Sequence, residues 1–213
     1  METGLRSGEQ FERATFEGVC PVGGRLAESR FEECTFVDCV FAGSTVSDCE
    51  FAACVFRRCD LGLVKLPRTV FRGCGFQESK IIGVNWAEAR WPSVKLHAPL
   101  TFSGCLLDDS TFLGLDLGGV GMTDCVARRV DFRDSRLNGA DFTGTDLEGS
   151  LFVGTDLTDA DLSGARNYSI NAAENVLRGA RFSLPEALAL LVGLGIVLSG
   201  WDGGSTTDEG VGS

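Results

Sequence analysis

The sequence predicts an all-β solenoid, and three observations predict it. First, a large apolar residue, most often Phe or Leu, stands at every fifth position. The clearest run is 140–164, where Ala140-Asp141-Phe142-Thr143-Gly144 is followed by four more blocks centred on Leu147, Phe152, Leu157 and Leu162. Second, the same frame runs from Phe11 through Phe31, Phe51 and Phe71 to Leu96, slips by one extra residue near His97–Pro99, and resumes at Phe102; Phe182 is the one Phe outside it. Third, a small residue lies two places before the large one. Cys34, Cys39, Cys49, Cys54, Cys59, Cys74, Cys105 and Cys125 all occupy that place, and Cys20, beside Pro21, does not. Helices repeat every 3.6 residues and strands every 2, so neither produces a period of five. A coil with five-residue sides and a corner after each one does.

The cysteines invite a metal or disulfide reading, which their spacing disfavours. Zinc sites want CxxC-type pairs, often with His, and the chain has one His and no such pair. Cys as a small interior filler accounts for the pattern better, and many free thiols fit a reducing compartment. No metal and no cofactor is expected.

With those residues in view, the chain resembles the pentapeptide-repeat family, whose pattern is A(D/N)LXX. The match is close over 140–164, looser over 29–96, and extends over roughly 11–199. The resemblance implies a right-handed quadrilateral β-helix with four pentapeptides per coil. Within the family, Gly83 to Leu96, with Trp86 and Trp91, is similar to the albicidin-resistance members. So are Asn167-Tyr168-Ser169-Ile170 and Ala180 to Ala187. Those members group with the Qnr-type gyrase-protection proteins, so the resemblance implies DNA gyrase, and secondarily topoisomerase IV, as partner. Qnr-type members carry longer loops, some of which assist protection; the spacing here suggests none.

Four sides per coil make equivalent positions recur every 20 residues. Cys34, Cys54 and Cys74 then form one inward column, and Cys105 and Cys125 another. The Phe residues stack inside as core. About eight coils at the strand spacing of about 4.8 Å make a rod of about 40 Å.

In chain order, 1–10 reads as a frayed N-terminus, 11–166 as the repeat, 167–199 as a C-terminal cap and dimerisation segment, and 200–213 as a disordered Gly/Ser/Thr tail. Trp86 and Trp91 fall on adjacent sides of one coil, and a bulge is expected near Lys95, His97 and Pro99. In the cap, Ser183-x-x-Glu186 has capping-box spacing with Pro185 in the first turn. A helix should follow as far as Gly193, with Ile196-Val197-Leu198 as a short strand. Leu190 and Val192 make that helix apolar nearly all round. This suggests burial against a second copy through Leu184, Leu188, Leu191, Leu194 and Ile196; relatives in the family dimerise through this end, and a two-fold dimer uses one patch twice.

The net charge of −11 argues against direct nucleic-acid binding. Residues 101–165 hold 12 acids against Arg128, Arg129, Arg133 and Arg136. By the 20-residue period, Asp141 and Asp161 share one face, and Asp116 and Asp156 the next, with Asp159 close. Asp146 and Glu148 fall on a third, near Asp108 and Asp109 one coil earlier. Such columns resemble the phosphates of duplex DNA, although Asp is also a common turn residue for local reasons. The candidate gyrase-contacting face is therefore Asp116, Asp141, Asp146, Asp156, Asp159 and Asp161.

No nucleophile–base pair, Walker motif or dinucleotide fingerprint occurs, so an enzyme is not expected. The apolar stretch 187–198 is too short to span a membrane, and the N-terminus lacks a signal-peptide pattern, so a soluble cytoplasmic protein is expected. The leading reading is a homodimeric DNA mimic that binds gyrase and confers antibiotic resistance, or self-immunity in a producer. The alternatives are an interaction scaffold with no topoisomerase role and an assembly protein whose shape matters more than its charge.

Overall fold

The computed structural model describes residues 4–91 and 100–199. Met1–Thr3, the bulge expected at Lys95, His97 and Pro99, and the tail 200–213 lie outside the described residues. The chain is a parallel β-solenoid of about 8 turns, with one short α-helix among the described residues. Its sides pair in parallel at a spacing of 20. On the first face Phe11, Phe31, Phe51 and Phe71 lie in register. On the second, Phe16, Phe36, Phe56, Phe76, Phe102 and Met122 form the longest sheet. The third and fourth faces are built mainly from single bridges, such as Val126↔Asp146 and Thr111↔Asp131.

The five-residue side explains which residue goes where. The central residue points inward, and Phe31, Phe36, Phe51, Phe56 and Phe76 are fully buried. The small residue two places earlier also points inward, where its side chain reaches backbone carbonyls. Cys59 Sγ donates to Phe36 O at 3.4 Å, Ser79 Oγ to Phe56 O at 3.3 Å, and Thr155 Oγ1 to Phe132 O at 2.9 Å. Ser, Thr and Cys are thus small side-chain donors to backbone carbonyls. All eight in-frame cysteines are buried and free, and Cys20 is exposed. Cys105 and Cys125 stand in a column apart from Cys34, Cys54 and Cys74, as expected; it is the column of Cys39 and Cys59, continued through Ser79. The last residue of each side turns the corner, commonly in the left-handed region, as at Asp38 (φ 53) and Asp134 (φ 57). Gly and Asp are favoured there because both tolerate positive φ.

Five expectations need correction. Residues 4–10 are not frayed. Gly4–Leu5 pairs with Cys20–Pro21, and Gly8 N–H donates to Ala27 O at 2.9 Å. The frame slip is not one residue: Val84 reaches Ser110 across 26 positions, where Cys59 reaches Ser79 across 20. Six extra residues therefore lie between Trp91 and Phe102, a stretch that includes the residues outside the description. Phe182 is not out of frame, since it pairs with Leu162 on the second face. The capping box does not form. Ser183 Oγ accepts the Gly164 N–H at 3.0 Å instead, and the helix α1 (Leu188–Gly193) begins later, after Ala187, with no side-chain cap. Ile196–Leu198 is not a strand.

Candidate acidic face and C-terminal surface

The acidic coils divide by face, because each outward position sits above its equivalent 20 residues earlier. On the second face, the sides Thr101–Gly104, Gly121–Asp124, Asp141–Gly144 and Asp161–Gly164 carry Asp124, Asp141 and Asp161 and no Lys or Arg. Asp141 Oδ1 accepts the Thr143 N–H at 2.9 Å and its hydroxyl at 2.5 Å. Asp161 Oδ1 accepts the Ser163 N–H at 2.9 Å. Hydrogen bonds from the Ser163 side chain and backbone hold the Asp161 carboxyl below its ordinary range. Arg181 Nη1, at 3.5 Å from Asp161 Oδ2, bounds this face at its upper end.

The first face alternates instead. Asp116, Arg136 and Asp156 form one column, with Arg136 Nη1 4.0 Å from Asp116 Oδ2. Asp156 is held below its ordinary range chiefly by Thr158, whose N–H donates at 3.0 Å. Asp159 is exposed at the corner leading to the second face. The third face is largely neutralised. Arg129 grips Asp109 at 2.7 and 2.9 Å, and Arg128 lies 3.5 Å from Glu148. Asp108 and Asp109 are two coils from Glu148, not one, and these arginines fill the coil between them.

Asp146 must be removed from the candidate contact face. It is 1% exposed. Arg128 Nε and Nη2 reach its Oδ2 at 3.1 and 2.7 Å, and Asn167 Nδ2 reaches Oδ1 at 2.9 Å. Burial pushes its carboxyl up, but hydrogen bonds from Asn167 and Arg128 outweigh that and leave it below the ordinary range. Asp124 is the acid that sequence reasoning passed over. It occupies the corner place (φ 53), followed 20 residues on by Gly144.

At the C-terminal end, Leu184 is 76% and Val197 91% exposed, and Val192, Leu194 and Ile196 are exposed as well. Leu188 and Leu191 are half-buried. Among the described residues no helix is long and apolar enough to cross a membrane.

Residues 9–86 match the model of the pentapeptide repeat region, and residues 135–166 match that of pentapeptide repeats in eight copies. The chain belongs to the pentapeptide-repeat family. No curated protein matches it. Among solved structures, a trypsin-treated form of QnrB1, a plasmid-mediated fluoroquinolone resistance protein, is 18% identical. That match covers 92% of this chain and 98% of QnrB1, with a TM-score of 0.48. HetL, a pentapeptide-repeat protein involved in heterocyst differentiation regulation from a Nostoc cyanobacterium, is 15% identical. It covers 84% of this chain and 86% of its own, with a TM-score of 0.38. Rfr23 from the cyanobacterium Cyanothece is 18% identical over 52% of this chain and 88% of its own, with a TM-score of 0.27.

Proposed function

We propose that this pentapeptide-repeat protein is a dimeric DNA mimic that binds DNA gyrase, with topoisomerase IV a second candidate. It shields the enzyme from poisons such as albicidin-like compounds. It acts by binding, with no catalytic step of its own. The observation that carries the reading is the second face, where Asp124, Asp141 and Asp161 stand on successive coils with no Lys or Arg among them. Coils repeat at about 4.8 Å, and B-DNA carries one charge per roughly 1.7 Å of axis. The imitation is therefore of a charged edge rather than of each phosphate. Asp156 and Asp159 extend that edge around the corner. A surface built for DNA is basic, and complementary potentials steer association.

The similarity of Gly83 to Leu96 to albicidin-resistance members supports gyrase as the partner. Self-association is supported by the exposed Leu184, Leu194 and Ile196 beside half-buried Leu188 and Leu191. A two-fold axis there would place the same apolar patch on both copies.

The test is gyrase supercoiling with the purified protein titrated in, with and without albicidin or a fluoroquinolone. The wild-type chain is compared with a variant carrying Asp124→Asn, Asp141→Asn, Asp156→Asn and Asp161→Asn. The wild type should restore supercoiling in the presence of one of the drugs, and the variant should not. Full protection by the variant, with its oligomeric state intact, overturns the mimicry.

A further inference from the structure

Asp146 has a different task from the acids around it. It occupies an outward place of the repeat, where its column neighbours are Leu106, Val126 and Arg166. One coil below, Val126 serves the same position, so a carboxylate is not needed to close the coil. Donors from three consecutive coils nevertheless converge on it. Oδ2 takes both Arg128 nitrogens and lies 3.8 Å from Arg166 Nε. Oδ1 takes Asn167 Nδ2 at 2.9 Å and the Glu148 N–H at 3.3 Å.

The two upper donors, Arg166 and Asn167, lie where the five-residue frame breaks. Asn167 is left-handed (φ 60), and the chain then turns Tyr168 and Ile170 into the core. Tyr168 packs on Phe182, with ring centroids 5.6 Å apart. Ile170 O lies so close beneath Gly193 of α1 that a Cβ there would meet it at 3.2 Å. A continuous path of contacts thus runs from the Asp146 carboxylate to the exposed C-terminal leucines.

We infer that Asp146 is a positioning residue: it holds the Arg166–Ile170 corner and, through Tyr168 and Ile170, the C-terminal apolar surface in the shape a second copy docks against. The docking half of this statement rests on the dimer reading above. Physically, the buried carboxylate gathers donors from Arg128, Asn167 and the Glu148 N–H, and removing it leaves Arg128 with Glu148 alone at 3.5 Å and takes away the acceptor of the Asn167 amide. Its effect should spread to groups that share its contacts and not beyond them.

The experiment uses the full chain with Asp146→Asn, Asp146→Val, Asn167→Gly and the double variant D146N/N167G. D146V supplies the side chain found at Val126, so it should be tolerated if filling space were the whole role. N167G keeps the left-handed backbone and removes the amide donor. Amide hydrogen exchange and sedimentation equilibrium are the readouts. In D146N and D146V, exchange should rise at least tenfold in 166–170 and 188–193, with the coils of Phe31 to Phe76 unchanged. The dimer dissociation constant should rise at least tenfold. N167G should loosen the same two segments, and the double variant should be no worse than D146N. Wild-type exchange in both segments for D146V, or loss of protection spread evenly along the rod, overturns the inference. If the wild type sediments as a monomer, the dimer reading fails, and the exchange data alone decide whether Asp146 positions the cap.

Discussion

Phe56 shows how one residue carries the core. Its ring stacks on Phe36 at 4.7 Å and on Phe76 at 4.9 Å, and meets Phe51 edge-on at 5.5 Å. Offset stacks and edge contacts are the arrangements favoured by the ring quadrupole. Phe56→Ala should cost about 3–5 kcal/mol in urea unfolding. Phe11→Ala should cost clearly less, because Phe11 is half-buried and its column continues only above it, at Phe31. Equal losses at the two sites would mean that the columns do not share load as drawn. Trp86 extends the same logic. Its indole is fully buried, and its Nε1 has no conventional acceptor. Phe71, Phe76 and Phe102 surround it in T-shaped contacts with centroids 5.4–5.6 Å away. This residue-level pattern was legible in the sequence. A period of five with Phe at its centre and Cys two places earlier has one packing solution, inward for both.

At the scale of a side and its corner, legibility was partial, and the reasons are physical. A five-residue frame reports an insertion only by its remainder, so six extra residues before Phe102 read as one. Near the C-terminus, Gly144 reaches Ser163 across 19 positions while Gly154 reaches Glu174 across 20. The irregularity is local, since Asp159 reaches Arg178 across 19 positions again and Leu162 pairs with Phe182 across 20, so no net residue is inserted. The shared face of Asp141 and Asp161 followed from the period. The burial of Asp146 did not, because it depends on Arg128 and Arg166 reaching over from neighbouring coils. Corners make a further prediction. Gly154 has φ +67, and a Cβ there would lie 2.6 Å from Asp134 Oδ1. Gly154→Val should lose about 1–3 kcal/mol, since a β-branched residue is strained at positive φ. Asp134→Gly in the same chain should recover the part due to the clash and leave the backbone part. A double-mutant cycle in urea checks this, and complete recovery would remove backbone strain from the account.

For the molecule as a whole, the charges decide how the rod answers acid. Arg58 and Arg68 hold the carboxyls of Asp38 and Asp48 below the ordinary range through side-chain hydrogen bonds, at contacts of 2.8 and 2.6 Å. Arg129 and Arg133 do the same for Asp109 and Asp131. A carboxyl lowered by folding stabilises the native state fully above its unfolded value, near 3.9 for Asp. That contribution disappears as the pH falls through the folded value. An opposing effect exists, because acid also relieves repulsion among Asp124, Asp141 and Asp161, but these are exposed or half-buried and partly screened. Once the acids are protonated, the 19 Lys and Arg and the one His remain as unopposed positive charge. Lost pairs and new repulsion act in the same direction. The urea midpoint should stay level between about pH 7 and 5 and fall below about pH 4, where Asp begins to protonate, with added salt restoring part of the loss. A midpoint that instead rises as the pH is lowered to about 3 would show that repulsion within the acidic coils outweighs the arginine pairs, and that the negative edge is held at the expense of the rod's own stability.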